Sequence, residues 1–263
     1  MTVHHLNCAT LEPAGTAGGR LMPSRLVAHC LLIERPEGLL LVDSGIGTGD
    51  IADPKRLGQP FRALVGPVLD RTETALAQVE AMGHRAEDVT DVVLTHLDLD
   101  HAGGIGDFPH ARVHVYEDEL DRAMKPPLRE RARYVAAQWA HGPQWVRHRA
   151  AGDEWFGFDS VTVLGDDVLL VPLRGHTHGH CGVAVRDGDR WLLHAGDAYF
   201  FHGEKDTPRT CPPGLRAFQS IVQVDGRARH HNQDRLRDLQ GERHPDLTIF
   251  SAHDAVEFDA FGG

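Results

Sequence analysis

Cysteine is scarce in this chain, and long apolar runs are absent from it. Its four cysteines among 263 residues include no pair with C-x-x-C spacing, which predicts reduced, mostly buried thiols and no disulfide framework. No run approaches the roughly 18 apolar residues of a membrane span. The N-terminus lacks a basic region followed by an apolar stretch, so no export signal is visible. We therefore expect a cytoplasmic protein that does not associate with membranes.

Positive charge is also in short supply. The formal net charge is −11 with histidine neutral, and no basic patch stands out, so nucleic acid is not an expected partner. Hydrophobic residues make up 41% and charged residues 25% of the chain, an ordinary balance for a globular protein. We predict a single domain over residues 1–263 that acts on a small-molecule substrate, and the sequence is compatible with a homodimer.

Metal-binding side chains, by contrast, are concentrated in one short stretch. His96, Asp98, Asp100 and His101 fall within six residues, directly after the apolar run 92–94, which predicts a buried strand. A strand that ends in imidazoles and carboxylates provides a rigid platform for a cation. The alternative is a solvated acidic loop that carries histidines by accident.

Three further polar motifs argue against that alternative. Residues 175–180 read Gly-His-Thr-His-Gly-His, Asp197 follows Gly196, and His253 lies in the stretch 251–254. Each motif follows, or lies at the end of, another short apolar run. Four strand ends that all deliver metal-ligating side chains predict a metal centre.

The order of these motifs resembles that of the metallo-β-lactamase fold superfamily of metal-dependent hydrolases. The patterns H-x-[HDE]-x-D-H, G-H-T-x-G-H, G-D and a late His together cover essentially the whole chain. The resemblance implies an α/β fold, an αββα sandwich of two mixed β-sheets with helices outside. One position departs from the commonest pattern, because Asp98 stands where a second histidine of the first motif is usual.

The resemblance also implies a ligand set for two divalent metal ions. Asp98 would supply a hard oxygen donor, which favours manganese or iron more than an imidazole does. Zinc is the first expectation, since carboxylates ligate it too; if Asp98 faced solvent, the chain would bind one metal. The implied ligands are His96, Asp98 and His180 for one ion, Asp100, His101 and His253 for the other, and Asp197 as a bridge.

The resemblance assigns the catalytic roles as well. A hydroxide shared by two ions is the expected nucleophile, and Asp100 beside it is the candidate to receive the proton and pass it to the leaving group. Tyr199 is a candidate to donate a hydrogen bond to a substrate carbonyl, as a tyrosine slightly further along does in lactone-opening relatives. His176 is expected to support the ligands from behind, and His178 to face water.

Two other residues have two interpretations each. Asp43 follows the apolar run 39–42 and either orients a ligating histidine or caps a turn. Cys181 follows His180 and is either a packing residue or a participant in metal or redox chemistry.

The hydrophobic pattern predicts the remaining elements. Residues 45–70 contain three prolines and are expected to form a long loop. Residues 117–158 are expected to form a helical, aromatic-rich insertion that either walls the substrate pocket or packs onto the domain. Strands are predicted at 26–33, 39–42, 92–94, 111–116, 168–173, 183–185, 191–194 and 247–252, and helices at 72–82, 117–124, 128–140 and 232–243.

We predict a dinuclear metal hydrolase that opens a small ester-like bond. The compact length, the short route from Asp197 to 251–254 and the aromatic insertion resemble the lactone-hydrolysing branch, which includes acyl-homoserine lactonases. Thioester hydrolysis of the glyoxalase II type is the rival within this class, although the chain ends ten residues after His253, without the basic extension expected for glutathione. Outside this class the alternatives are an iron-dependent redox enzyme, motivated by Asp98, and a non-catalytic metal sensor.

Overall fold

Two six-stranded β-sheets packed face to face form the centre of the protein. The computed structural model describes residues 1–262. The first sheet contains, in spatial order, β1 (Thr2–Leu11), β2 (Leu26–Arg35), β3 (Gly38–Val42), β4 (Val89–Val93), β5 (Arg112–Tyr116) and β6 (Gln144–His148). The second contains, in spatial order, β12 (Leu247–Phe250), β11 (Arg190–His194), β10 (Cys181–Asp187), β9 (Val168–Pro172), β8 (Phe158–Leu164) and β7 (Asp153–Trp155).

Both sheets are mixed. In the first sheet β1, β2 and β3 pair antiparallel, whereas β3 to β6 run parallel. In the second sheet β11 and β12 are parallel and the other neighbours are antiparallel. The predicted α/β sandwich of two mixed sheets is confirmed.

Helices cover the outer faces of the sandwich. Ala75 and Val79 pack with the first sheet, as does Leu120, and Leu236 and Leu239 pack with the second. The helices are α1 (Thr48–Ala52), α2 (Gln59–Val65), α3 (Ala75–Ala81), α4 (Glu117–Met124), α5 (Pro213–Val222), α6 (Gly226–Gly241) and α7 (Ala255–Asp259). Within residues 1–262, no helix is both long enough and apolar enough to cross a bilayer.

The alternation of side chains along the central strands produces these layers. On β3, Leu40 and Val42 pack in the cluster shared with the second sheet, whereas Leu39 and Leu41 belong to the cluster that includes α3 and α4. Successive side chains of a strand point to opposite faces. Fully burying one such leucine stabilises the fold by about 1.5–3 kcal/mol, so both faces of these strands hold the sandwich together.

The parallel strands deliver polar loops to one edge of the sandwich. In the first sheet Asp43 follows β3 and the loop 94–101 follows β4. In the second sheet Asp197 lies just beyond β11 and His253 just beyond β12. Parallel neighbours end at the same edge of a sheet. The loops at the two edges contact each other: Nε2 of His101 lies 3.2 Å from Oδ1 of Asp197.

Two sequence predictions of secondary structure are wrong. Residues 45–70 contain α1, a 3₁₀ turn and α2. Their prolines are compatible with this, because Pro54 and Pro60 occupy the first and second positions of helical segments, where a missing N–H is tolerated. Residues 128–140 form two 3₁₀ turns, Leu128–Glu130 and Ala136–Trp139, with no α-helix. The insertion also contains β6 and β7, so it is less helical than predicted.

Two further differences concern the C-terminal half. Helix α6 begins at Gly226, ahead of the predicted residue 232, because the Asp225 side chain caps it by accepting hydrogen bonds from the N–H groups of Arg227 and Ala228. Helix α5 was absent from the predicted set. That residues 1–263 form a single domain stays a prediction.

Candidate metal centre

Two groups of buried donor atoms lie at the edge where the sheets meet. His96, His176 and Asp197 form one group, in which the ligand atoms all lie within 4.8 Å of one another. Asp100, His101 and His253 form the other at the same spacing. We call these groups the first position and the second position.

The first position has interatomic distances that suit one small cation. Nε2 of His96 lies 3.7 Å from Oδ2 of Asp197, and Nε2 of His176 lies 3.3 Å from the same oxygen. Oδ2 of Asp98 is 3.6 Å from Nε2 of His96 and 3.0 Å from Nε2 of His176. Donors of a tetrahedral ion with bonds near 2.1 Å are about 3.4 Å apart. Asp98 therefore lies within reach of an ion at the first position.

The second position faces the other oxygen of the same carboxylate. Oδ1 of Asp197 is 3.2 Å from Nε2 of His101 and 3.1 Å from Nε2 of His253, and those two nitrogens are 3.3 Å apart. Asp100 lies slightly further out, with oxygens 4.0 Å and 3.8 Å from Nε2 of His101 and His253. Asp197 thus stands between the two positions with one oxygen toward each.

The donor atoms themselves fit divalent metal ions. Nε2 of His96 and Oδ1 of Asp197 are buried without a hydrogen-bond partner. Buried polar atoms are normally paired, and lone pairs brought this close repel each other unless a cation or proton lies between them. Neutral imidazoles and carboxylates are ordinary ligands of zinc, manganese and iron.

Asp43 fixes the orientation of two of the histidines. Its Oδ1 accepts a hydrogen bond from the Thr95 N–H and its Oδ2 accepts one from the Thr95 hydroxyl, both at 2.8 Å. Oδ2 also lies 2.8 Å from Nδ1 of His101, and the Thr95 hydroxyl oxygen lies 2.9 Å from Nδ1 of His96. Both imidazoles therefore carry their proton on Nδ1 and direct Nε2 into the site, an assignment that follows from the hydrogen-bond network.

His253 is oriented in the same way by the backbone. Its Nδ1 lies 2.7 Å from the carbonyl oxygen of Val27, to which it donates. Nε2 of His253 is left to face the second position, as a metal ligand requires.

The charges of the site compensate one another. Burial would raise the pKa of Asp197, but the surrounding histidines, led by His253 and His101, outweigh it and hold that pKa well below its usual range. Burial alone would lower the pKa of His101, yet the carboxylates of Asp197 and Asp43 raise it well above the usual value. Burial lowers the pKa of His176 to about 4, so its imidazole is neutral at pH 7. The carboxylates thus attract positive charge to this edge.

The structure places His180, predicted as a metal ligand, outside both donor groups. Nδ1 of His180 donates to the carbonyl of Leu173 at 2.9 Å, and its Nε2 accepts the backbone N–H of Asp197 at 2.8 Å. Both ring nitrogens are therefore in use. Gly196 allows this approach, because a Cβ there would lie 2.6 Å from Nε2 of His180. His176, predicted as a supporting residue, takes the place in the donor group.

Tyr199 is not where its predicted role requires it. Its hydroxyl donates to the carboxylate of Glu257 at 3.0 and 3.1 Å, and Tyr199 is absent from the residues that line the cleft beside the metal positions. Burial, followed by the Glu257 charge, raises the pKa of Tyr199 well above its usual value. The phenol is a fixed structural donor, and the neighbouring Phe200 faces the cleft instead.

The remaining ambiguous residues have simple environments. Cys181 is buried in the core shared by the two sheets, and its thiol donates to the carbonyl of Gly179 at 3.4 Å, which favours packing over metal or redox chemistry. His178 is exposed, as predicted.

Two buried residues without any sequence motif hold the metal-site loops. Glu119 on α4 accepts the Leu97 N–H at 3.0 Å and the Gly179 N–H at 3.1 Å, so one carboxylate joins the loops that carry the two motifs. Gln138 donates to the Leu99 carbonyl at 2.8 Å. Neither residue belongs to a recognisable motif, so only the folded arrangement identifies them.

A cleft opens directly onto the two positions. The open space at this cleft, solvent included, is about 610 Å³. The metal-site end is lined by Asp98, Asp100, Arg133, His176, Asp197 and His253, and the rest by Leu11, Pro13, Met22, Leu26, Phe61, Leu64, Val65, Leu99, Phe200, Phe218 and Val222. None of the tryptophans of the insertion is among these residues, so its aromatics do not wall this cleft.

Comparison with known proteins agrees with this architecture. A model of the metallo-β-lactamase superfamily matches residues 24–239, well over half of the chain. A probable metallo-hydrolase of Mycobacterium tuberculosis is 44% identical over 256 residues, which are 96% of this chain and 80% of that protein. The N-acyl homoserine lactonase AttM of Agrobacterium fabrum is 31% identical over 157 residues, 59% of this chain and 58% of that protein.

Solved structures share the fold. An N-acyl homoserine lactone hydrolase, solved with the product N-hexanoyl-L-homoserine at its catalytic metal center, has a TM-score of 0.74 at 17% identity and covers 98% of this chain and 95% of that one. The dizinc quorum-quenching lactonase AidC has a TM-score of 0.60 at 16% identity, over 96% and 85% of the two chains. The sequence matches and the shared sandwich together make this chain a member of the metallo-β-lactamase superfamily and a metal-dependent hydrolase.

Proposed function

We propose that this hydrolase opens the ring ester of a small lactone that carries an apolar chain, and that it does so with two divalent metal ions. The observation that carries the proposal is the cleft, whose lining combines metal-site donors and Arg133 with residues that are otherwise all apolar. This chain resembles lactonases in sequence and in fold. Their names support the same substrate class.

The charge of the cleft favours a neutral substrate. Arg133 is the only lysine or arginine among the residues that line it. Its guanidinium is already engaged, because it pairs with Asp98 and donates to the carbonyls of His176 and Val222. A thioester of glutathione would bring carboxylates that need a free cation, so this cleft argues against the glyoxalase II type of reaction.

The residues of the two positions would hold the metal ions and transfer a proton. Bound divalent ions would lower the pKa of a water molecule and stabilise negative charge that develops on the substrate carbonyl. His96, Asp98 and His176 would hold the first ion, His101, His253 and Asp100 the second, with Asp197 between them. The Asp100 carboxylate would take the proton released by the attacking water and return it to the alkoxide leaving group. The apolar wall would orient the chain of the substrate and exclude bulk water.

The identity of the metal depends on Asp98. Zinc is our first choice because histidines and carboxylates ligate it readily. Manganese or iron is the alternative, since Asp98 supplies a hard oxygen at a position where an imidazole would favour zinc or softer ions.

The test combines metal content with substrate turnover. Protein purified without added metal is analysed for zinc, manganese and iron, and is then screened on lactones, thioesters and phosphodiesters after reconstitution with zinc or manganese. Two ions per chain with turnover of lactones alone is the expected result. About one iron per chain without hydrolysis would overturn the proposal in favour of redox chemistry.

A pair of variants separates an enzyme from a metal sensor. Asp100→Asn keeps a donor oxygen but removes the proton acceptor, so we expect kcat to fall about 100-fold or more with the ions retained. Asp118→Asn removes a carboxylate that only pairs with Arg174 at the surface, and it should leave kcat unchanged. Unchanged kcat in Asp100→Asn would contradict the assigned role.

A further inference from the structure

Arg133 reaches the first metal position from a distant part of the chain. It lies between the two 3₁₀ turns Leu128–Glu130 and Ala136–Trp139 of the insertion. Its side chain is only 12% exposed, as is that of Asp98. Charged side chains are rarely buried to this extent without a partner. Arg133 and Asp98 are therefore partners in a buried ion pair beside the first position.

The contact combines one hydrogen bond with one ion contact. Nη2 of Arg133 donates to Oδ2 of Asp98 at 2.9 Å, and Nε lies 2.9 Å from Oδ1 without hydrogen-bond geometry. Nη1 donates to the His176 carbonyl and Nη2 to the Val222 carbonyl, both at 3.0 Å. The guanidinium is thereby held by three separate segments of the chain. A guanidinium fork held on several sides fixes the position of the carboxylate oxygen to which it donates.

The oxygen that Arg133 fixes is the one that faces the metal position. Oδ2 of Asp98 lies 3.0 Å from Nε2 of His176 and 3.6 Å from Nε2 of His96. The arginine charge of +1 and the carboxylate charge of −1 cancel at this point. A pair without net charge that presents one lone pair is electrostatically similar to a neutral imidazole.

We propose that Arg133 is the positioning residue of the first metal position, and that the Asp98–Arg133 pair acts together as one neutral donor in place of a histidine. This inference rests on the proposed two-metal site. It explains why a carboxylate can stand at residue 98 and why an arginine of the insertion pairs with it. It also implies that residues 98 and 133 are energetically coupled, so that neither can be exchanged alone.

The coupling has a clear direction. Asp98→His supplies a neutral donor but leaves the buried guanidinium of Arg133 without its carboxylate, beside a divalent cation. An unpaired buried charge is strongly destabilising, and it repels the ion. Removing that charge in the double variant Asp98→His with Arg133→Met should restore the position, since a neutral histidine needs no counter-charge.

The test measures metal affinity by chelator competition, together with the visible absorption of cobalt(II) at the first position. We expect D98H to weaken binding of the first ion about 10–100-fold, the range found when the support of a ligand is lost, and D98H with R133M to recover most of that loss. The matched control is D98H with R122M. Arg122 also pairs with a buried carboxylate, through one hydrogen bond of 2.8 Å to each oxygen of Glu130, and its removal should restore nothing.

The outcomes separate this inference from the proposed function. Two ions per chain, rescue by R133M and no turnover of any lactone would leave the inference standing and overturn the substrate proposal. Equal affinity in D98H and D98H with R133M would overturn the inference alone, and a wild-type count of one ion would overturn both. If D98H does not fold, R133K provides the test, because lysine keeps the positive charge but lacks the guanidinium fork. A metal affinity about tenfold lower in R133K, together with an unchanged metal affinity in R122K, supports the inference. An unchanged metal affinity in R133K overturns it.

Discussion

The backbone N–H of Asp197 donates to Nε2 of His180 over 2.8 Å. This hydrogen bond occupies Nε2 of His180 and holds the main chain of Asp197, which lies between the first and second positions. Nδ1 of His180 is anchored in turn to the Leu173 carbonyl. The two buried histidines of the Gly-His-Thr-His-Gly-His motif therefore have different roles: His176 belongs to the donor group of the first position, and His180 holds the backbone of Asp197.

A pair of glutamine variants distinguishes these tasks. His176→Gln removes an imidazole donor from the first position, so we expect loss of the first ion and a decrease in kcat/KM of about 10–100-fold or more. His180→Gln keeps an acceptor for the Asp197 N–H, so it should retain both ions and lose only a few-fold in kcat/KM. Metal analysis after dialysis and steady-state kinetics provide the measurements. Loss of an ion from H180Q with none from H176Q would reverse the assignment.

The sequence was sufficient for the sandwich and for most of the donor atoms. Alternating and continuous apolar runs locate strands such as β3 and β4, and polar residues directly after a strand must lie at the edge of its sheet. The motif resemblance selects His180 as a ligand, whereas the folded chain brings His176 into the donor group. The decisive factor is strand pairing: the Leu173 N–H donates to the His180 carbonyl at 2.9 Å, which extends the β9–β10 ladder and turns His180 toward Asp197.

Residues from the insertion could not be assigned to the site from sequence. Arg133, Gln138 and Glu119 reach it from between 117 and 158, and none has a motif or a period that singles it out. Their buried contacts also explain why 128–140 is not a continuous helix, since tertiary contacts override a weak helical preference. Long-range polar contacts of this kind depend on the packing of the whole chain.

Glu119 should be important for both stability and activity. Its Oε1 accepts from the Leu97 N–H and the Tyr134 hydroxyl, and its Oε2 from the Gly179 N–H. Glu119→Gln would place an NH₂ group against one of these donors, and we expect it to lower the free energy of unfolding by about 1–3 kcal/mol and to reduce kcat/KM, since both ligand loops shift. Urea denaturation and kinetics are the measurements.

The matched control for that variant lies on the same helix. Glu117 forms an ion pair with Arg149 near the surface, and an exposed pair contributes about 0–1 kcal/mol. Glu117→Gln should therefore leave both quantities nearly unchanged. If E119Q and E117Q behave alike, Glu119 does not hold the loops.

Tyr199 provides a prediction about catalysis. Its hydroxyl is committed to Glu257, which also pairs with Lys205 at 2.7 Å. Tyr199→Phe should lower the free energy of unfolding by about 1.5–3 kcal/mol, the range for a hydrogen bond to a charged group, with kcat within a few-fold of wild type. A fall in kcat of about 100-fold with unchanged stability would return Tyr199 to the reaction.

A half-buried and a buried histidine away from the metal positions, His5 and His29, predict acid sensitivity of the fold. Nδ1 of His5 and Nε2 of His29 are 2.7 Å apart, and His5 stacks on Phe261 with ring centroids separated by 3.8 Å. Burial, assisted by nearby His194, lowers the pKa of His5 from 6.5 to about 4 and holds that of His29 well below 6.5. Between pH 6.5 and 4 the unfolded chain therefore binds more protons than the folded chain, so stability falls as the pH is lowered through this window.

His5→Gln tests this source of acid sensitivity, because glutamine keeps a hydrogen-bonding group for His29 but does not titrate. We expect the decrease in Tm between pH 6.5 and 4 to be smaller in H5Q than in wild type, with both proteins stripped of metal so that protonation of ligand histidines affects them equally. His110→Gln is the control, since His110 is exposed and its replacement should leave the pH dependence of Tm unaltered. Parallel curves for H5Q and wild type would mean that His5 is not protonated on unfolding in this window, and the acid sensitivity would then have to arise elsewhere.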